Sequence, residues 1–542
     1  MAESTTYAGL TIGPIGEVMR HSKKTREQWF GSYFFSWFME IVMTNLAKLY
    51  GKHIFLTPRL MDQPNISYGG KYPDRFVLQT RQSVEDVYAA IDQICDETRQ
   101  FFSKMIAELP KGKPFAHVDL DHILKHFLQI RFFCMDETDF FNSVQGEQKL
   151  PVAIADMILD SLESTFFFEP GQSEQTCNMC KMLPACVSIA EKKIEMDLCP
   201  ICYLKRFAHE SETLTNRVYF KSAYRVFPSI QEISIRELDT KENKDIINSA
   251  KDKENDNEID LNQLNQLLKK QTAEKESLKQ YHKYIAIVQA DGDNLGTLAK
   301  EPDINPQELS NRLFNFAADV EALIDNYGGY PIFLGGDDIL AYLPVCYNNT
   351  TILDFVYETY DTYMKKVDIG KQKTSISFGV NIVYYKYPLA RALEEAGNLL
   401  FNVAKNEKGK ASLAVSLTKH SGAANDFVLN FTNPAQTESF YQLQRAIRAD
   451  KTILPRGISH NLRRFQSIVN KLQQSEPQNQ SANRLDAFFS NTLNEPIFTQ
   501  YNIKTLKQFV HTFIFSHNHK DFDSVLNILK YLKFLTDEAD HG

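Results

Sequence analysis

The chain has 542 residues, 43% of them hydrophobic and 24% charged, with a formal net charge of −8. This composition excludes wholesale disorder, a fibrous repeat and an overall basic glove for nucleic acid, and the length accommodates roughly three or four domains. Eight cysteines are too few for a disulfide scaffold of this size, no apolar run approaches the ~20 residues of a membrane span, and the N-terminus lacks a secretory signal, so a cytoplasmic protein with no membrane partner is expected.

Residues 1–165 are rich in aromatics. Trp29, Tyr33 and Trp37 share one helical face, which reads as core packing. Residues 166–237 carry two C-x-x-C pairs, Cys177/Cys180 and Cys199/Cys202, with 18 residues between them. Each pair turns two thiolates toward one ion, and four thiolates close a tetrahedral site. A structural Zn²⁺ is expected there, with no open position for catalysis. Cys186 lies inside the loop as a spare, and Cys95, Cys134 and Cys346 read as packing residues. Residues 238–280 are highly charged and lack aromatic side chains. They read as a solvated linker or insertion, in which Leu261, Leu264, Leu267 and Leu268 are spaced for one short amphipathic helix.

From 281 to 418 strand and helix signals alternate. YIAIVQA (284–290) suits a buried strand. Asn305 offers an N-cap followed by Pro306, and Leu309, Leu313, Phe316, Val320 and Leu323 continue at helical spacing. Gly328-Gly329 stops that helix. YPIFL (330–334) and ILAYLPV (339–345) read as strands joined by the tight hairpin Gly335-Gly336-Asp337-Asp338. A helix over 352–366, a strand over 374–385, a helix over 389–406 and a strand over 411–417 complete the unit. The order βαββαβ, with an added helix and strand, predicts a ferredoxin-like palm sheet with helices on one face. Residues 419–542 show mostly helical periodicity and predict a helical C-terminal domain.

The chemistry sits in two motifs. Asp291-Gly292-Asp293-Asn294 ends the first palm strand, and Gly335-Gly336-Asp337-Asp338 forms the hairpin tip. A crossover helix returns the chain to a neighbouring strand, which brings Asp291 beside Asp337 and Asp338. Three carboxylates there need compensation, because like charges a few ångströms apart repel. Mg²⁺ or Mn²⁺ supplies it. Two such ions ~3.5–4 Å apart can activate a 3′-hydroxyl and stabilise a leaving pyrophosphate. Gly292, Gly335 and Gly336 let backbone approach a phosphate without a Cβ in the way. Lys405, Lys408 and Lys410 follow the palm's last long helix, where a lysine can neutralise a triphosphate; the plain alternative is a helix C-terminal charge pattern.

Three other groupings read mainly as surface. His117, Asp119, Asp121 and His122 lack a partner set, and His511, His517, His519 and Asp521 suit a solvated helix end. The string Arg445, Arg448, Lys451, Arg456, Arg463, Arg464 reads first as a solvated face and second as a contact for RNA phosphates or an acidic subunit.

The chain resembles the large polymerase/cyclase-like subunit of type III-B (Cmr-type) CRISPR RNA-guided effector complexes. Gly13-Pro14-Ile15 through Lys24-Thr25-Arg26, Trp29 and Gly31-Ser32 look like that family's opening motif. Tyr72-Pro73-Asp74-Arg75-Phe76 looks like its next one, and the cysteine pairs and the two acidic motifs follow in order. The resemblance implies an α+β fold: two ferredoxin-like palm domains, a four-cysteine zinc-binding insert and a helical C-terminal domain. Of the two palms, the first (1–165) lacks catalytic carboxylates. It implies a cytoplasmic enzyme that condenses ATP into cyclic oligoadenylate messengers when target RNA pairs with the guide RNA. Its partners would be those RNAs and the complex's small helical and backbone subunits. By correspondence, Asp291, Asp337 and Asp338 hold two Mg²⁺ or Mn²⁺ ions, with the Gly292 carbonyl assisting. ATP lies over Gly335 and Gly336, beside Asp293, Asn294 and Lys405. Many relatives carry an N-terminal HD nuclease; no His-Asp doublet precedes the opening motif, so no HD nuclease activity is expected. The motifs leave the acceptor open, and AMP transfer to another 3′-hydroxyl, such as that of S-adenosylmethionine, is an alternative. A catalytically silent RNA-binding scaffold is a second alternative. A diguanylate cyclase is a third, disfavoured by Ile339 where those enzymes usually have Phe.

Overall fold

The computed structural model describes residues 5–62, 69–109, 112–115, 119–144, 150–164, 175–191, 194–217, 227–252, 258–271, 277–298, 301, 303–368, 374–450, 454, 458–464, 466–467, 487, 500–515 and 522–537.

The N-terminal sheet is built from β1 (Thr6–Gly13), β2 (Phe55–Thr57), β3 (Arg75–Thr80) and β4 (Gln129–Asp136), in the order β2-β3-β1-β4. The helices α1 (Thr25–Tyr50) and α2 (Val84–Ala107) join them. The first turn of α1 is closed by Glu27, whose carboxylate accepts from the backbone N–H groups of Lys23 and Lys24 at 2.8 and 3.2 Å. Trp29, Phe30, Tyr33, Phe34, Phe35, Trp37 and Phe38 are all buried along α1. A helix apolar on nearly every side must be wrapped by other elements. Here α2, the cysteine-rich segment and the palm sheet wrap it. The expected stripe is core: the Trp29 and Tyr33 rings stack at 5.5 Å.

The cysteine-rich segment ends in α3 (Pro200–Phe207). This helix plugs into the start of α1. Lys205 Nζ donates to the Val18 carbonyl at 2.6 Å and to Ser22 Oγ at 3.1 Å. Arg206 pairs with Glu27 at 2.7 Å, with both side chains buried.

The expectation of a solvated segment at 238–280 needs correction. It contains α4 (Leu261–Gln271) and a small core of its own, in which Ile246, Ile247, Ile259, Leu261, Leu264 and Leu268 pack together. Dense charge on the outer faces masks an apolar set sufficient for burial.

The palm sheet has six strands: β5 (Tyr284–Asp293), β6 (Tyr330–Gly335), β7 (Asp338–Pro344), β8 (Ser375–Tyr384), β9 (Ser412–Thr418) and β10 (Ala424–Asn430), in the order β6-β7-β5-β8-β9-β10. Only β8 and β9 run parallel. Among the described residues, the longer helices connecting them are α5 (Pro306–Asn326), α6 (Ile352–Lys366) and α7 (Leu389–Asn398). The Asn305 side chain caps α5 by accepting from the Gln307 and Glu308 amides.

Helices cover both faces of this sheet, not the single face expected. Side chains alternate across a strand. Ala286, Val288 and Ala290 face the core containing α5 and α6. Ile285 and Ile287 face the core shared by α7 and the aromatic α1. The long helix expected over 389–406 is α helix only to Asn398, then continues as a π turn over Leu399–Val403 and a 3₁₀ turn over Ala404–Asn406.

Beyond 418 the chain first adds β10 to the palm and then turns helical. Helices α8 (Pro434–Ala449), α9 (Ile458–Arg464), α10 (Gln500–Phe515) and α11 (Phe522–Phe534) follow. Phe509, Val525, Leu529 and Tyr531 pack into the palm's own core. Among the described residues, no helix is long and apolar enough to cross a membrane.

Candidate active site

The site forms where one strand outruns its neighbour beside a hairpin. On one side β5 pairs with β8 as far as Asp293–Ser375, but on the other it leaves β7 after Ala290–Ile339. Asp291 and Gly292 therefore follow the last residue paired with β7. The β6–β7 hairpin closes with Gly335 opposite Asp338, so Gly336 and Asp337 form a two-residue turn. Gly336 has φ +78°, a left-handed value at the first turn position that glycine adopts without strain. The turn hangs Asp337 over the end of β5, with its Oδ2 against Gly292.

Burial, and then the neighbouring Asp338 charge, push the Asp337 carboxyl up to about 7. The surrounding protein, and then Asp74 of the N-terminal domain, push Asp338 up to about 6, although Asp338 reaches solvent. Asp74 arrives there because the preceding segment docks on the palm edge. Gly70 accepts from the Leu334 amide at 3.0 Å, and Lys71 pairs with Glu321 at 2.9 Å.

Asp291 is held differently. Lys405 forms an ion pair with its carboxylate and donates to the Gly292 carbonyl at 3.1 Å. Burial and then the Lys410 charge draw the Lys405 ammonium down to about 8. Lys405 comes from the 3₁₀ turn after the π segment, 113 positions from Gly292.

Asp293, expected beside a nucleotide, has its side chain turned inward and fully buried. Its Oδ2 accepts from Ser375 Oγ at 2.7 Å, Ser377 Oγ at 2.8 Å and the Ala411 amide at 3.0 Å. It ties β5 to β8 and to the start of β9. Asn294 takes φ +61° and accepts from Lys410 at 3.0 Å. Lys408 is exposed.

The three motif carboxylates do not converge as expected. Among the described residues, the four thiols of Cys177, Cys180, Cys199 and Cys202 are the sole group of three or more His, Cys, Asp or Glu side chains whose ligand atoms all lie within 4.8 Å of one another. Asp291 is instead paired with Lys405. The thiols are all buried, and Cys199 caps α3 by accepting from the Cys202 amide at 3.4 Å. Cys186 stays outside that group, and burial raises its thiol to about 12.

The other groupings stay at the surface or lie outside the described residues, except for Arg448, which is half-buried with its charge acting on the buried Cys346 and Tyr531. Asp119 is an N-cap, accepting from the His122 amide at 3.0 Å; His117 is not among the described residues, nor are His517, His519, Asp521, Lys451 and Arg456. His511 lies on α10. Arg445 donates to the Tyr441 carbonyl at 3.2 Å, Arg463 lies 3.7 Å from Asp523, and Arg464 is exposed. Sequence reasoning missed Asp74 as a neighbour of Asp338. Its only signal was membership of the 72–76 motif.

Residues 284–414 match the family model described as Cas10/Cmr2, second palm domain. Residues 7–110 match the one described as CRISPR-associated protein Cmr2, N-terminal. A curated relative, the CRISPR system Cmr subunit Cmr2 of Pyrococcus furiosus, is 31% identical over 203 residues. That match covers 32% of this chain and only 23% of the relative. Among solved structures, the type III-B Cmr-beta complex in its apo state contains a chain similar in fold, with a TM-score of 0.65 and 13% identity over 98% of this chain and 82% of that one. The same complex bound to cognate target RNA gives 0.60, with 13% identity over 98% of this chain and 83% of that one.

Proposed function

The chain carries a Cas10/Cmr2-type palm domain, and we propose that it is the nucleotidyltransferase subunit of a type III-B CRISPR effector complex. It would transfer AMP from ATP, releasing pyrophosphate, when target RNA pairs with guide RNA. The observation that carries this reading is the seat of Lys405. Its ammonium already occupies the Asp291 carboxylate and the Gly292 carbonyl, two of the oxygens proposed to hold a metal.

The donor set fits a hard divalent cation, because every proposed ligand is oxygen. Asp291, Asp337, Asp338 and the Gly292 carbonyl would hold two Mg²⁺ or Mn²⁺ ions. When bound, such ions acidify the acceptor hydroxyl and neutralise the leaving pyrophosphate. The rest of the work falls to the chain. Gly336 leaves the turn open: among the described residues beyond its chain neighbours, a Cβ there would meet only Leu313, at 3.5 Å or more, so a phosphate can approach closely. Lys405, released from Asp291, would pair with the triphosphate. The acceptor oxygen bonds to the α-phosphorus, the bond to the pyrophosphate oxygen breaks, and the hydroxyl proton leaves to solvent. Asp293 keeps the strand ends in place without touching substrate.

The strand order β2-β3-β1-β4 repeats the β6-β7-β5-β8 order of the palm, which supports reading the N-terminal domain as a second, non-catalytic ferredoxin-like palm. The four buried thiols suit structural Zn²⁺. The further partners proposed are the small helical and backbone subunits of the complex. The product is read as a cyclic oligoadenylate, with S-adenosylmethionine as the alternative acceptor. One observation, the unconverged carboxylates, favours a second reading: a silent RNA-binding scaffold. Incubating the assembled complex with ATP, Mg²⁺ and matching RNA, with and without S-adenosylmethionine, separates these by mass spectrometry of the products. Release of pyrophosphate with a new adenylylated product supports the enzyme; no product with any divalent ion supports the scaffold.

A further inference from the structure

Beneath the proposed metal ligands lies a buried hydroxyl that the reading above leaves unused. Tyr363 sits on α6 with no exposed surface. Its ring is fixed edge-on against Phe316 of α5, at 5.2 Å between centroids. Among the described residues, neither its hydroxyl nor the buried Thr374 Oγ1 makes a well-formed hydrogen bond, although Thr374 is close enough to donate to Tyr363. An unsatisfied buried hydroxyl keeps the full cost of losing its water, so an orphan in a packed core calls for an explanation.

The surroundings supply one. A Cβ built on Gly292 would lie 3.1 Å from the Tyr363 hydroxyl and 2.4 Å from Asp337 Oδ2. Phenol and carboxylate thus converge on one glycine from different elements, α6 and the hairpin turn. The Asp337 charge acts on Tyr363, and Thr374 lies within its reach as well. Thr374 directly precedes Ser375, the partner of Asp293 in the β5–β8 ladder.

We propose that Tyr363 is a positioning residue for Asp337: its hydroxyl donates to the carboxylate once that group takes up a cation, while Thr374 donates to Tyr363. Both orphan hydroxyls are satisfied in that arrangement. One Asp337 oxygen is then steadied from below and the other is left to face the metal. Outer partners of this kind orient ligands, and their loss typically costs 10–100-fold in metal affinity or activity.

The inference rests on Asp337 being a metal ligand, so the test reads metal directly. Mn²⁺ is titrated into the full chain, by calorimetry, for wild type, Tyr363→Phe and Phe509→Leu. Tyr363→Phe removes one oxygen and keeps the ring; Phe509→Leu loosens the same core from α10 and leaves Tyr363 and Phe316 in place. The expected result is Mn²⁺ binding weakened roughly 10–100-fold in Tyr363→Phe, with little change in melting temperature. Phe509→Leu should melt earlier and bind Mn²⁺ as wild type does. Equal Mn²⁺ affinity in Tyr363→Phe and wild type overturns the inference alone. Weakening shared equally by the two variants assigns Tyr363 to packing and also overturns it. A wild-type chain that binds no Mn²⁺ at Asp337 overturns the underlying reading, and the inference with it.

Discussion

The Asp337 carboxylate rests directly on Gly292: a Cβ at that glycine would come within 2.4 Å of Oδ2 and 3.1 Å of the Asp337 Cβ. A strand end and a hairpin turn, 45 positions apart in sequence, are therefore fitted at the level of one missing methyl group. Gly292→Ala should displace Asp337 from the site. Overpacking of this kind typically costs about 1–3 kcal/mol. We expect nucleotide transfer to be lost while the chain still folds, with a small drop in melting temperature. Activity close to wild type in Gly292→Ala would show that Asp337 need not sit there.

The acidic turn should also make stability depend on pH. Asp337 is raised to about 7 in the folded chain, against ~3.9 for an unperturbed aspartate. Between those values the folded state holds a proton that the unfolded state has released. Stability then falls as pH rises from about 4 to 7. Thermal melts in chelator across this range should show that decline, and Asp337→Asn should flatten it. A divalent cation should restore stability at neutral pH. An Asp337→Asn melt with an unchanged pH slope would assign the decline to other groups.

The four-thiol centre has a structural consequence. It anchors α3, which delivers Lys205 and Arg206 into the start of α1. Structural metal sites contribute folding free energy. Cys177→Ser should lose the proposed zinc and lower the melting temperature, as should prolonged chelation of wild type. Metal content is checked by elemental analysis, with one zinc per chain expected. Full metal content and an unaltered melt in Cys177→Ser would remove the centre's structural role.

Arg206 and Glu27 are paired out of solvent, with side-chain exposures of 7% and 0%. Removing one partner of a buried pair leaves an uncompensated charge and typically costs about 3–5 kcal/mol. Arg206→Ala should show that loss in denaturant unfolding. Glu27→Gln should cost a comparable amount, because an amide oxygen that still accepts from the Lys23 and Lys24 amides turns its NH2 toward the buried Arg206 guanidinium. Similar stabilities for wild type and Arg206→Ala would mean that water reaches Glu27.

Local signals carry much of the palm. Asn305-Pro306 marks the start of α5, and its cap forms as those residues imply. The glycine hairpin appears where Gly335 and Gly336 place it. The features that stay hidden depend on distant chain. No local pattern links Lys405 to Asp291, since an ion pair across more than a hundred residues exists only once β5 and the turn before β9 are brought together. Asp293 is expected beside the nucleotide, yet the hydroxyls of Ser375 and Ser377, more than eighty positions away, claim its carboxylate. The strand β10 reads as helix because Phe427, Val428 and Leu429 are consecutive apolar residues that conceal a period of two. In 238–280, charge dominates the composition and conceals the isoleucines and leucines that close the small core.

The central claim is that Asp291, Asp337 and Asp338 grip paired divalent ions around nucleotide phosphates. It is tested most directly by anomalous diffraction from the chain crystallised with Mn²⁺ and a non-hydrolysable ATP analogue. The account expects two manganese peaks ~3.5–4 Å apart, contacting all three carboxylates, with the Lys405 ammonium moved from Asp291 onto the triphosphate. A nucleotide-bound structure without manganese at these acids, and with Lys405 still on Asp291, would contradict it.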